Sequence, residues 1–412
     1  FFLSRLQQSK TRAIMSNVSA FIPAIDPSVR LSPFHERGNS TERYLVESGN
    51  ACFVVSRTLH DVIAILRDER PETVHALGDA VRRRTRQDVD HDTLSKIVSE
   101  VLPRPLFEPE LGDKVRTPFI LRATILRKNW IGPITERLTW MYSRPVVLTL
   151  LAVAALIAAL AMPRALTAVH AALTAREVAI LYLAIFASGL WHELGHATAC
   201  TRYGCPHGDI GFGLYFIFPA FYSDVTKAWR LEAKQRAVVD LGGMYFQTLV
   251  VILAGAYGLW TNDTVALRFL WITLFIMLHN FNPVFKMDGY WLFSDLTGLT
   301  NLHKRMSETV RERLRGETGS VKLPIFLAYM SAVVLYGAYL TNFLVKAFIN
   351  IATHYPSKAA EYVRAIANAR EWLDGVIAAG HLLRISVWPL ILSIVAVSMV
   401  IRIAKVFRSP RT

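Results

Sequence analysis

Cysteine is scarce in this chain: Cys52, Cys200 and Cys205 are the three in 412 residues. Three thiols make no disulfide framework, so something else must hold the fold. Acids are outnumbered too, 32 Asp and Glu against 46 Lys and Arg, giving a formal net charge of +14. No nucleic-acid-binding motif accompanies that charge, so nucleic acid is not expected as a partner. A cleavable signal peptide is not expected either. The first 140 residues lack a long apolar core followed by a small-residue cleavage site. The chain opens Phe1-Phe2, and Met15 is a candidate natural start. No internal repeat of the transporter kind is visible.

What the sequence does hold is apolar length. Hydrophobic residues make up 52% of it, and the mean hydropathy is +0.31. A bilayer is crossed by about 20 apolar residues, and six stretches qualify: 145–163, 178–202, 237–260, 266–287, 323–349 and 382–405. The expected fold class is mainly α, a polytopic membrane helical bundle of about six spans. Basic residues gather after the second span (Arg202, Lys227, Arg230, Lys234, Arg236), after the fourth (Lys304, Arg305, Arg311, Arg313, Arg315, Lys322) and in the tail. The positive-inside bias then puts both termini in the cytoplasm. The loop 350–381 would lie outside, with "AAEYVRAIANAREWLDGVI" as an amphipathic surface helix.

Ahead of the spans, residues 1–39 read as an arm and 40–108 as a small cytoplasmic α+β domain. "RYLVES" and "ACFVVS" alternate around Gly49-Asn50, the pattern of a β-hairpin. Leu59, Val62, Ile63 and Leu66 recur at helical spacing, as do Leu94, Ile97, Val98 and Val101. Pro71 is expected to start a helix between them, and the whole reads as winged-helix-like. "RRRTR" at Arg82–Arg86 reads as a solvated helix end. Residues 109–144 form a linker leading into the membrane, and 145–412 the transmembrane domain. "DIGFGLYFIFPAFYSD", residues 209–224, is apolar but broken by Pro219. A re-entrant hairpin or a short sheet fits it, tolerated at membrane depth where protein or water covers it.

The chemistry begins in "LWHELGHATA", Leu190–Ala199, inside the second span. His192 and His196 are four apart, so on a helix their imidazoles share one face. That spacing lets two ligands reach one zinc ion, with Glu193 able to hold a water beside it. Ionisable groups inside a span are functional by default. A catalytic zinc needs a third protein ligand, and the fourth span offers one in "NFNPVFKMDGYW". Asp288 is the sole carboxylate between Asp263 and Asp295. Pro283 weakens the helix ahead of it, and Gly289 lets the backbone turn just after. The histidines would lie roughly 10–16 Å from the inner end of their span at 1.5 Å per residue, on the cytoplasmic side.

Asn280, Pro283, Asp288 and Gly289 match the pattern Asn-x-x-Pro-x-x-x-x-Asp-Gly in full. Together with His192, Glu193 and His196, they make the chain resemble the site-2 protease family of intramembrane zinc metalloproteases. The resemblance covers residues 178–295. It implies that His192, His196 and Asp288 bind Zn2+, that Glu193 is the catalytic base, and that Asn280 assists at the reacting carbonyl. Asn282 is a second asparagine there, and register alone selects Asn280. Residues 40–108 loosely resemble peptide-chaperone domains of peptide-modification pathways, which implies binding of a precursor-peptide leader along a strand edge. A generic winged-helix regulatory domain is the equal alternative. With both resemblances, the chain is similar to bacterial peptide zinc metalloproteases.

The expected function is thus zinc-dependent intramembrane endopeptidase activity, in a bacterial inner or plasma membrane. The substrate would be a membrane-associated or leader-bearing peptide cut near the cytoplasmic side, as in maturation of a ribosomally made peptide. The alternatives are a non-proteolytic peptide exporter or immunity protein with a structural metal site, and a regulated protease of membrane signalling. Lipid is an expected partner, and oligomeric state is left open. The 209–224 stretch would offer substrate a strand edge or merely seal the site. Cys200, next on the histidine face, is a thiolate ligand or, more plainly, a small buried residue. Asp224 gates substrate or caps a turn, His279 lines the cavity or packs, and Lys286 snorkels. Trp191, Tyr290 and Trp291 read as packing or interfacial residues.

Overall fold

The computed structural model describes residues 22–34, 42–49, 51–86, 89–108, 119–215 and 218–369, with scattered positions between 371 and 389. The N-terminal sheet is antiparallel in the order β1 (Arg30–Phe34), β2 (Arg43–Ser48), β3 (Ala51–Ser56). Gly49 turns the β2–β3 hairpin at φ 55°, a left-handed value that glycine adopts without strain. Its neighbour Asn50 lies outside the described residues. Ser56 caps α1 (Arg57–Asp68) by accepting from the Leu59 N–H, and Thr73 caps α2 (Val74–Thr85) through Ala76. Pro71 therefore precedes the helix rather than starting it, because the Thr73 cap fixes the first turn. Helix α3 (His91–Lys96) continues into a π turn at Ile97–Val101. That extra residue per turn takes Val101 off the apolar face, and its side chain is exposed. Arg82, Arg83, Arg84 and Arg86 are exposed at the end of α2.

The segment expected to be an arm contributes to this body. Ile22, Ile25 and Val29 are buried with Val46, Ile63, Leu66 and Leu77, and β1 pairs with β2 in full register. A five-residue strand whose large apolar side chains are Leu31 and Phe34, three apart, gives no period to read from sequence.

Four helices are long and apolar enough to cross a membrane: α5 (Arg144–Ala168), α6 (Ala175–Arg202), α7 (Ala233–Thr261) and α11 (Leu323–Ala367). A shorter helix, α4 (Lys128–Leu138), leads into α5. The capping box of Thr174 and Glu177 starts α6, and Asp263 caps α8 (Thr264–Asn280) through the Ala266 N–H. Helix α8 is apolar but only 17 residues long. The expected fourth span, 266–287, is thus cut short. Asn282 accepts the Val284 N–H in a local turn and Pro283 cannot continue a helix, so the chain unwinds before α9 (Asp288–Thr297). Helix α10 (Leu302–Leu314) follows.

The six-span pattern also changes near the C-terminus. Helix α11 runs on for 45 residues through Ala367, well into the loop 350–381 expected outside the membrane. The sixth expected span, 382–405, lies largely outside the described residues. The chain divides between Phe326 and Leu327, and in the second unit Tyr355 and Ser386 share a hydrogen bond of 3.0 Å.

Helix α7 is the core of the first unit, packed against α5, α6, α8 and α9. Its approach to α6 is a backbone contact. A Cβ on Gly195 would run into the Gly242 carbonyl, so both positions require glycine, in the small-residue manner of membrane helix pairs. Tyr142 locks the crossing by donating to the Gly195 carbonyl at 2.8 Å.

The 209–224 stretch is a short sheet: β5 (Ile210–Tyr215) and β6 (Phe218–Ser223) form an antiparallel pair. A third strand, β4 (Phe119–Leu126), comes from the segment read as linker and pairs with β5. The order β4-β5-β6 leaves the outer side of β6 without a strand among the described residues.

Candidate metal centre

His192 and His196 are one turn apart on α6, both buried. Asp288 opens α9, where a carboxylate suits the helix N-terminus. The glycine after it serves a close approach, not a turn. A Cβ on Gly289 would strike the Phe281 backbone and come within 2.7 Å of the Asn280 carbonyl. That contact folds the end of α8 back onto the start of α9 and aims Asp288 at α6. Its Oδ2 lies 3.1 Å from His192 Nε2 and its Oδ1 3.5 Å from His196 Nε2. The two Nε2 atoms are 3.1 Å apart. One ligand atom from each residue falls within 4.8 Å of the others.

The outer ring nitrogens fix what the inner ones are. His196 Nδ1 is 2.7 Å from the Val239 carbonyl, which can only accept, so Nδ1 carries the proton. His192 Nδ1 faces Gln247 Oε1 at 3.1 Å, and the Gln247 amide in turn donates to Ser188 at 3.2 Å. Both Nε2 atoms are then bare lone pairs in the neutral imidazoles. They converge with a carboxylate whose Oδ2 is buried and has no hydrogen-bond partner. With the His192 imidazole neutral, no proton lies between that oxygen and Nε2, 3.1 Å away. Three buried acceptors without a donor fit a cation. Two imidazoles and one carboxylate, each imidazole held from behind, are a donor set suited to zinc.

Glu193 is buried beside the histidines and accepts the Ser223 N–H. That bond orients β6. Asp224 exchanges its N–H and C=O with the β5 side, through Asp209 and Gly208. Ser223, one residue earlier, therefore faces the opposite way, and the outer edge of β6 meets Glu193. Phe221 packs its ring against Gly189 on α6 and against Phe186, at a centroid distance of 4.9 Å.

Asn280 ends α8 half-buried, while Asn282 is buried with its Nδ2 unpartnered. Cys200 packs with Cys205, Ala199 and Val239, away from the ligand group. Asp224 takes the cap role, accepting from the Thr226 hydroxyl at 2.7 Å. His279 Nδ1 donates to the Phe275 carbonyl on its own helix. Lys286 is exposed, 5.9 Å from the Tyr290 ring centre. Trp191 donates to the Phe246 carbonyl.

Sequence reasoning missed Gln247, the Val239 carbonyl and the Ser223 N–H. Gln247 carried a usable signal, a polar residue inside a span. The two backbone groups carried none. Three cations counted toward the positive-inside bias turn out to be internal. Arg230 and Lys227 pair with Glu47 of β2, and Arg236 is buried against Asp295. The Glu47 carboxylate holds the Arg230 guanidinium above its ordinary pKa.

A cavity of about 420 Å3 lies between the N-terminal sheet and α9. Cys52, Phe53, Val54 and Val55 all line it. Four consecutive residues can do so only along a strand's edge, since each face shows every second one. Lys286 and Trp291 are on the opposite wall. Burial pushes the Cys52 thiol up to about 11.

No family model matches the chain, and no solved structure matches it. The chain is similar to the protein named "Putative peptide zinc metalloprotease protein YydH" of Bacillus subtilis (strain 168), 28% identical over 101 residues. That stretch is 24% of this chain and 40% of the relative, so less than half of the relative's length is matched.

Proposed function

We propose that the chain is a zinc-dependent intramembrane endopeptidase of the site-2 type, with His192, His196 and Asp288 as ligands. The observation that carries the reading is the convergence of His192, His196 and Asp288 beside a buried glutamate, with both histidines on a helix apolar enough to cross a membrane. The similarity to a protein named as a peptide zinc metalloprotease supports the same class. An adjacent base also favours catalysis over a purely structural metal site, which needs none.

When bound, zinc would act as a Lewis acid on the scissile carbonyl and on water. The residues of the chain do the rest. Glu193 accepts the proton from the attacking water and passes it to the leaving amine. Asn280 donates to the carbonyl oxygen as charge builds there. The Gln247 and Val239 acceptors keep both imidazoles in one tautomer and one orientation. The outer edge of β6 pairs with an extended substrate, which brings a peptide carbonyl next to Glu193. Residues 40–108 capture the substrate first, as a precursor-peptide leader lying along the β3 edge. The site faces the cytoplasm of a bacterial plasma membrane, with both termini on that side.

The test is zinc content and peptide cleavage of detergent-purified protein against Glu193→Gln. The wild type should hold one zinc per chain and cut a leader-bearing peptide. Glu193→Gln should keep the metal and lose about 10²–10⁴-fold in rate. Zinc bound with both proteins equally inert toward every co-encoded peptide would sink the protease reading.

A further inference from the structure

Asp288 is the first residue of a helix of only ten residues, joined to α8 by an irregular turn. Such a helix does not hold a ligand to metal-site tolerance by itself, since ligand distances must be met within about 0.2 Å. Its far end is gripped. Asp295 lies seven residues on, close to the same face as Asp288. Arg236 of α7 donates to Asp295 Oδ1 from Nε at 2.8 Å and approaches it from a second nitrogen at 2.7 Å. The pair is buried, with side-chain exposures of 7% and 11%. Arg236 also donates to the Leu231 carbonyl, which ties the guanidinium to the start of α7. Helix α7 is the one whose Val239 and Gln247 hold the two histidines, so all three ligands are referenced to it.

The guanidinium is completed from outside the transmembrane domain. Phe34, the last residue of β1 and itself buried, lies under Arg236 with the guanidinium carbon 4.9 Å from its ring centre. Trp229 faces the same cation at 5.6 Å. Trp229 also meets Phe34 at 5.9 Å and Trp291 of α9 at 6.0 Å. One aromatic cluster thus joins the N-terminal sheet, the clamp and the helix bearing the ligand. A stacked, two-point arginine is not replaceable by lysine.

We propose that Arg236 is a positioning residue for Asp288 and that Phe34 completes it, so that docking of the N-terminal domain is part of the assembly of the metal centre. This rests on the assignment of His192, His196 and Asp288 as metal ligands. The N-terminal domain then has a duty separate from substrate capture: it sets metal affinity.

The experiment is a zinc competition titration with a chromophoric chelator on full-length protein in detergent, with the melting temperature recorded for each variant. Phe34→Leu keeps apolar volume and removes the ring face. Arg236→Lys keeps the charge and removes the fork. Each should weaken zinc binding about tenfold, as supporting shells do, with little change in melting temperature. The double variant should bind no more weakly than Arg236→Lys alone, because both act on one path. Asp288→Asn serves as the reference and should lose about 100-fold or more. Glu47→Gln loosens the same domain through Arg230 without touching the clamp and should bind zinc as the wild type does. Wild-type affinity in Phe34→Leu, additive losses in the double variant, or an equal loss in Glu47→Gln overturns the clamp while leaving the metal site standing. Wild-type affinity in Asp288→Asn overturns both. If Arg236→Lys fails to fold, Phe34→Leu decides alone.

Discussion

Replacing Gly243 by alanine should disable the metal site while favouring the helix that carries it. An alanine Cβ there would lie 2.5 Å from His192 Cε1, with Nε2 and Cδ2 closer still, where ordinary contact starts at 3.4 Å. The ring would have to retreat by about 1 Å, several times the roughly 0.2 Å that a coordination distance tolerates. Its Nδ1 bond to Gln247 would be strained by the same movement. The expected loss in zinc affinity is about 100-fold, the upper end of what supporting positions cost. Intrinsic helix preference points the other way, since alanine is favoured over glycine by about 1 kcal/mol in a helix interior. Overpacking would return about 1–3 kcal/mol of destabilisation, so the melting temperature should change little. The assay is chelator competition beside circular dichroism. Gly132→Ala is the control, because a Cβ at Gly132 meets nothing within 4 Å. Zinc affinity within threefold of wild type in Gly243→Ala would refute the argument, because the ring would then have room that the geometry denies it.

Gln247→Leu should weaken zinc about tenfold by freeing the His192 ring; equal binding in equilibrium dialysis would show that the glutamine is dispensable. Asn280→Ala should lower kcat with KM and zinc content unchanged, whereas a kcat loss confined to Asn282→Ala would transfer the role to the buried asparagine. Cys52, pushed up to about 11 by burial, should alkylate at pH 8.5 about 100-fold more slowly than a free thiol. The sign is that of a raised acid: the folded state keeps the thiol neutral, and its contribution to stability is lost only as pH rises past the unfolded thiol value. A Cys52 labelling rate within fivefold of a free thiol, read by peptide mapping, would contradict its burial.

The candidate ligand group was legible because its information is local. A four-residue spacing puts two imidazoles on one face of any helix, and Asp288 stood as the lone carboxylate of its stretch. The groups that hold the ligands from behind were not legible, since the Val239 carbonyl and the Ser223 N–H are backbone atoms delivered by packing. Hydropathy overran the end of α8 because Phe281, Val284, Phe285 and Met287 carry apolar residues on past Asn280. What ends the helix is Asn282's bond to Val284 together with Pro283. Arg236 was counted as a cytoplasmic cation because a formal charge reads the same in solvent and in a buried pair. Strand β4 was missed because its partner lies some ninety residues further on, and no window joins "FILRATIL" to "IGFGLY".

That long-range strand pairing has a consequence for the order in which the molecule matures. β4 leaves the ribosome well before β5 and must wait, unpaired, while α5 and α6 are inserted. Non-local pairing of this kind is slow to form because the intervening loop has to close first. Asp288 emerges later still, more than ninety residues after His192. A chain cut short of Asp288 therefore has two imidazoles and a glutamate but lacks the third residue of the candidate metal group. If the three bind zinc as proposed, competence to bind it arrives only once α9 has been made, so the order of synthesis itself leaves a shorter chain without the site.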